Sequence, residues 1–163
     1  MNQKRRLSHF LGPVYDEKSR VLILGTFPSD KSRDSGFFYG HPQNRFWRVL
    51  AAIFECELPR TIEQKRSLLL NNGVALWDVI ESCEIVGSSD SSIRNVIPAD
   101  VGFVLRNSPI EDLYANGKMA EKLYKKHLEG KIGKKITALP STSPANAVYS
   151  LERLIDTWSI IRG

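Results

Sequence analysis

Two stretches far apart in the chain gather the residues able to do chemistry. The first runs from Gly25 to Trp47 and reads GTFPSDKSRDSGFFYGHPQNRFW; the second runs from Leu139 to Ala147 and reads LPSTSPANA. Both hold Pro, Ser and Asn, and the first adds aromatic rings and a histidine. That mixture suits three tasks: stacking on a flat ring, gripping phosphates and placing a water molecule. His41 offers an imidazole that can donate a hydrogen bond at neutral pH. Asn44 offers a neutral amide that can orient a water but is no strong base. Ser141, Thr142 and Ser143 offer hydroxyls and backbone N–H groups suited to phosphate.

Each stretch follows a short apolar run rich in β-branched residues, VLIL at Val21–Leu24 and ITA at Ile136–Ala138. In an open α/β sheet, ligands bind outside the carboxyl ends of parallel strands, where such loops converge. Further strands are expected at Val74–Trp77 and Ile110–Ala115. Helices are expected over Asn44–Phe54, from apolar residues at helical spacing, and over Thr61–Leu70, with Thr61 as cap and Asn71-Asn72-Gly73 as stop. A short helix over Ile93–Ile97, one from Asn116-Gly117 to about His127, a basic turn over Gly130–Lys135 and a last helix over Pro144–Ile155 complete the reading. Strands alternating with helices predict a three-layer α/β/α sandwich around a mainly parallel four-stranded sheet, in a single domain over residues 1–163.

Several pieces of this sequence resemble the uracil-DNA glycosylase superfamily. They are Gly25-Thr26-Phe27-Pro28, matching a strand followed by Gly-X-X-Pro; Leu139-Pro140-Ser141-Thr142-Ser143-Pro144, matching a late Pro-Ser loop; and Asn116-Gly117-Lys118-Met119-Ala120, matching an Asn-Gly-X-X-Ala helix start. The piece Tyr39-Gly40-His41-Pro42-Gln43-Asn44-Arg45-Phe46-Trp47 is similar to one in the hypoxanthine-DNA (deoxyinosine) glycosylase branch. The resemblance spans roughly Val21 to Tyr149.

It implies a cofactor-free, metal-free hydrolase that flips a deaminated base out of DNA and cuts its N-glycosidic bond, leaving an abasic site. Hypoxanthine is the expected base, with uracil or xanthine as alternatives. Many relatives carry Asp or Asn at the third position of Gly-X-X-Pro. Here Phe27 stands there and cannot activate water, so the resemblance moves the water-orienting role to Asn44, with His41 as a second polar group. Capping of a helix is the competing reading of Asn44, and the two are compatible. Phe27, Phe38, Tyr39 and Asp78 are the expected base contacts. Asp78 accepts from the N1–H of hypoxanthine, or is only a turn residue at a strand end. Ser141, Thr142 and Ser143 are the expected DNA-backbone contacts, although Ser143 before Pro144 also reads as an N-cap before Pro at N1. Ser88, Ser89 and Asp90 match a Gly-Ser-X-Asp loop without a clear role. Phe27 also leaves room for a binding module that kept the fold and lost catalysis.

The bulk properties agree. The 163 residues carry a net charge of +5, and the sequence pI is about 9.3, a modest bias toward an anionic partner such as DNA. The lysines from Lys118 to Lys135 could guide DNA or form a solvated face. No apolar run approaches the roughly 20 residues of a membrane span, and the N-terminus lacks the apolar core of a signal peptide, which predicts a cytoplasmic protein. Cys56 and Cys83 are too few for a disulfide framework or an iron–sulfur site, and His9, His41 and His127 are too scattered for zinc. There is no P-loop and no dinucleotide fingerprint. The expected partner is DNA containing a deaminated base, met by a monomer with no obligate protein partner.

Overall fold

A computed structural model describes residues 4–86 and 92–163. Four strands, β2 (Val21–Gly25), β3 (Val74–Asp78), β6 (Asp112–Asn116) and β7 (Thr137–Leu139), form an entirely parallel sheet in the order β3-β2-β6-β7. Every residue of β2 and β3 is buried, which is why these strands read as unbroken apolar runs rather than alternating ones. Helix α3 (Ile62–Asn71), between β2 and β3, packs on β3, while α5 (Lys118–His127), between β6 and β7, packs on β6 and β7. The two crossovers run in opposite directions along the sheet. With the usual right-handed connection, they cover opposite faces.

The sequence places α3 well, because its cap is local. Thr61 accepts from the backbone N–H of Gln64, and the Gln64 side chain accepts in return from the Thr61 N–H, a complete capping box. Helix α2 (Phe46–Ile53) buries Phe46, Trp47, Val49, Leu50 and Ile53 and packs on the last helix, α7 (Leu151–Trp158). Trp158 is fully buried, meets Phe46 edge-on at 5.9 Å, and donates its indole N–H to the Pro140 carbonyl at 2.9 Å. It therefore ties the core to the loop after β7.

Several expectations are corrected. A second sheet, antiparallel and three-stranded, joins β1 (Lys4–Ser8), β4 (Ile80–Val86) and β5 (Arg94–Pro98) in the order β1-β4-β5. Residues 94–98 are thus an edge strand, not a short helix. Val96 and Ile97 suit a strand, and Pro98 is tolerated because it ends that edge. A short helix α1 (Asp30–Ser35) sits inside the first chemistry-bearing stretch, capped by Ser29. Helix α4 (Val101–Arg106) takes its cap from Asp100. The basic segment after α5 opens with one helical turn, α6 (Glu129–Ile132), closed by Gly133 at a φ of 77°. The last helix begins at Leu151, with Ser150 as its cap, and not at Pro144. Ser88, Ser89 and Asp90 lie outside the described residues. Among the described residues, no helix is long and apolar enough to cross a membrane.

Trp158→Ala is expected to lower the unfolding free energy by about 3–5 kcal/mol, read by urea denaturation. A loss below 1 kcal/mol would mean that Trp158 is not the tie between the core and the loop after β7.

Candidate active site

From β2 the chain crosses to β3 on one side, and from β6 it crosses to β7 on the other. The crevice between β2 and β6, at their carboxyl ends, is the switch point where α/β sheets bind ligands. A cleft of about 240 Å³ opens there, lined by Gly25, Phe27, Phe38, Tyr39, His41, Asn44, Asp78, Asn116 and Ser141–Pro144, with Leu7 and Ile85 reaching in from the second sheet. All nine residues expected to act on or grip a ligand meet at this one cleft.

Thr142 organises it. This residue is fully buried, so its hydroxyl does not face a phosphate as expected; it works inside the site. The Thr142 N–H donates to Asn116 Oδ1 at 3.0 Å, Asn116 Nδ2 donates to Thr142 Oγ1 at 3.1 Å, and Thr142 Oγ1 donates to Asn44 Oδ1 at 2.8 Å. Asn44 Oδ1 also accepts the Phe46 N–H at 3.0 Å. A backbone N–H at each end fixes which atom of each amide is oxygen, so the direction of the chain is set. Asn44 thus holds the first N–H of α2 in a turn from one residue before the N-cap, Arg45, and both lone pairs of its carbonyl are engaged. Its Nδ2 donors are the half of the amide left for a ligand or a water.

The neighbouring Arg45 holds the second loop. Its backbone N–H donates to the Thr142 carbonyl at 3.0 Å. Its guanidinium donates to the Ser143 carbonyl at 2.9 Å, the Asn146 carbonyl at 3.0 Å and the Tyr149 carbonyl. Arg45 thus pins a stretch that forms turns rather than a helix, the Ser143 carbonyl also accepting the Asn146 N–H at 3.0 Å, and the helix starts at Leu151 under the Ser150 cap. The N-cap reading of Ser143 falls with it: its hydroxyl accepts the Ala145 N–H in a local turn, and Ser141 accepts the Ser143 N–H. Both hydroxyls keep their proton free to donate.

Opposite this loop, Asp78 ends β3 and is buried. Gly25, its partner across the ladder, lets it approach. A Cβ on Gly25 would lie closer than 3.0 Å to Asp78 Oδ1 and 2.9 Å from the Tyr39 hydroxyl, so any other residue would push these side chains out of place. Tyr39 itself has a φ of 56°, a left-handed conformation unusual for an aromatic residue. Its ring packs on Phe46 at a tilt of 35°, with centroids 4.4 Å apart, and its hydroxyl lies beside Gly25 and Asp78. Burial, and then the Asp78 carboxylate, push its phenol above the usual tyrosine range, opposed only in part by the Asn116 amide. It therefore stays an O–H donor. Although Asn116 lies close enough to act on it, that oxygen is the one buried side-chain oxygen among the described residues with no hydrogen bond of good geometry, which in a native structure calls for an explanation.

His9 was not foreseen. It follows β1, with its side chain 1% exposed, and lies 2.8 Å through Nε2 from Asp78 Oδ2. Rings of Phe27, Phe38 and Trp77 surround it at 6.0–6.2 Å. Nothing in LSHFLGPV marks the histidine as a site residue, because its partner is 69 positions away. His41 lines the cleft half-exposed; its Nδ1 accepts the Gln43 N–H at 3.1 Å, leaving Nε2 to donate in the neutral form.

The sequence model of the uracil DNA glycosylase superfamily matches residues 13–161. The chain belongs to the uracil-DNA glycosylase superfamily. It is 34% identical over 151 residues to a protein from Methanosarcina acetivorans named hypoxanthine DNA glycosylase, covering 91% of this chain and 94% of that one. It is 39% identical over 84 residues to a protein of the same name from Methanosarcina barkeri, about half of each chain. A solution NMR structure of a Methanosarcina acetivorans protein described as a uracil DNA glycosylase superimposes with a TM-score of 0.80 at 30% identity, over 95% of this chain and 96% of that one. In this superfamily member the Gly-X-X-Pro glycine has a concrete task, the clearance of Asp78 and Tyr39. The Pro-Ser loop is bound to the first motif through Arg45 and Thr142.

Tyr39→Phe removes an unpartnered buried hydroxyl, so it should leave stability unchanged or raise it by about 1 kcal/mol, while weakening ligand binding in the cleft. Thermal unfolding beside a DNA-binding titration reads both; a destabilised protein would mean that the hydroxyl has a partner. Arg45→Lys keeps the charge but loses the fork. It should cost about 2 kcal/mol and make the 143–149 loop the first site of limited proteolysis. Unchanged cleavage would show the loop to be held by other contacts.

Proposed function

We propose that this protein is a monofunctional DNA glycosylase that hydrolyses the N-glycosidic bond of hypoxanthine in DNA and leaves an abasic site. The carrying observation is the cleft at the switch point, where one fixed hydrogen-bond chain joins Asn44 to the second loop opposite a buried carboxylate acceptor, Asp78. The two Methanosarcina relatives named hypoxanthine DNA glycosylase support the choice of base.

In this reading the flipped base enters between Phe27 and Phe38, and Asp78 accepts its N1–H. As the bond to C1′ lengthens, the sugar takes on positive charge and becomes electrophilic enough for neutral water. The protein then needs to hold a water and the substrate in place rather than supply a strong base. Asn44 holds that water through Nδ2, because both lone pairs of its oxygen are taken within the protein. The base departs with the electron pair of the C1′–N bond, His41 Nε2–H donates a hydrogen bond to it, and the proton shed by the attacking water passes through solvent to neutralise it. Ser141 and Ser143 donate to the DNA backbone from the arginine-pinned loop. Among the described residues no lysine lines the cleft, which favours hydrolysis over a Schiff-base route with strand cleavage.

The test is base release from duplexes carrying a single hypoxanthine, uracil, xanthine or adenine. Wild type should release hypoxanthine. Asn44→Ala removes the amide that holds the water and should fall by about 10²-fold. Full activity in Asn44→Ala would take the water-holding role away from Asn44. Salt-sensitive DNA binding with no base released from any duplex would leave a binding module instead.

A further inference from the structure

We propose that His9 is a specificity-determining positioning residue. It holds Asp78 as a fixed hydrogen-bond acceptor beside the Tyr39 donor, so that the cleft floor reads the lactam edge of a deaminated base and refuses the amino-bearing edge of its parent. This rests on the glycosylase reading above and deepens it.

The first step is the tautomer. His9 Nδ1 lies 3.0 Å from the Leu11 backbone N–H and accepts from it. A nitrogen that accepts carries no proton, so the ring is neutral with its proton on Nε2. That proton points at Asp78 Oδ2, 2.8 Å away, which makes Oδ2 an acceptor. The segment that carries the ring is pinned on both sides. The His9 N–H donates to the Glu81 carbonyl at 2.6 Å, the Leu11 carbonyl accepts the Trp77 indole N–H at 3.2 Å, and Arg33 donates to the Ser8 carbonyl at 2.8 Å. Arg33 also sits over the Phe10 and Phe27 rings, 5.2 Å from each centroid.

The second step is the neighbour. Asp78 Oδ1 and the Tyr39 hydroxyl both lie within 3.0 Å of the position a Gly25 Cβ would take, both residues line the cleft, and the hydroxyl makes no hydrogen bond of good geometry within the protein. The floor thus offers an acceptor next to a donor. Hypoxanthine presents a carbonyl acceptor next to an N1–H donor, which complements that pair. Adenine presents an amino donor next to a bare N1, so donor faces donor and acceptor faces acceptor. The same reversal separates uracil from cytosine. A site built on buried hydrogen-bonding groups rejects a mismatched analogue strongly, because its own groups are left unpaired. His9 lies before residue 13, where the match to the superfamily begins, so this element comes from a segment outside the matched region.

The experiment is competitive binding to duplexes with one 2′-fluoro nucleotide, which resists hydrolysis, bearing hypoxanthine or adenine, alongside base-release rates on the ordinary sugars. His9→Phe fits the aromatic surroundings and lacks the donor; it should shrink the hypoxanthine-over-adenine preference at least tenfold. His9→Gln retains an N–H donor and should restore most of it. An equal fall on both bases, an unchanged ratio, or a His9→Gln protein as indiscriminate as His9→Phe overturns the proposal. In the wild type, ¹⁵N spectra should report the Nε2–H tautomer of His9, with a shift on binding the hypoxanthine duplex only; an Nδ1–H tautomer also overturns it. A wild type that prefers hypoxanthine in binding yet releases no base would sink the hydrolase reading and leave the His9 assignment standing.

Discussion

The site depends on a single threonine hydroxyl. Thr142 takes a hydrogen bond from one amide and gives one to another, and backbone N–H groups at both ends dictate the direction. A hydroxyl can accept and donate at once, which neither an amide nitrogen nor a carbonyl can do alone. Asn116 comes from the end of β6, Asn44 from the entry to α2, and Thr142 from the loop after β7. One buried residue therefore sets the spacing of three elements, and the low dielectric around it strengthens each link of the chain.

Arg45 extends the same logic outward. The second loop carries no regular structure from Ser141 to Tyr149, so its carbonyls need partners from elsewhere. A guanidinium supplies several donors in a rigid fork and stays charged. It converts a loop that would otherwise fray into a fixed edge of the cleft. Because Arg45 directly follows Asn44, any shift of the loop is felt at the amide proposed to hold water.

The opposite wall is built on absence of bulk. Gly25 removes a Cβ that would collide with Asp78 and Tyr39, and the second sheet brings His9 to the far side of the same carboxylate. A buried carboxylate is costly unless it is hydrogen-bonded, and His9 meets that need while the aromatic rings around it exclude water. The strained backbone of Tyr39 and its unpartnered hydroxyl occur together at this wall, a pattern expected where a site is preorganised for a ligand. The antiparallel sheet is therefore part of the site and not an ornament on the parallel one.

Local signals were enough for the four parallel strands, α2, α3 and α5, because burial on both faces, helical spacing and a capping box are written within a few residues of each element. The motifs likewise marked both loops and their convergence, since strand ends in a parallel sheet point the same way. What the sequence could not express was partnership at a distance. Residues 94–98 became a strand because β4 offered an edge, and the last helix started under the Ser150 cap, after a loop that Arg45 pins from another part of the chain. Thr142 read as an outward phosphate contact until burial turned it inward, and His9 had no local mark at all. The residue types able to do the chemistry were determined by the sequence alone. Which lone pair, which proton and which face each one presents was decided by the tertiary structure, because those depend on hydrogen-bond partners from other parts of the chain.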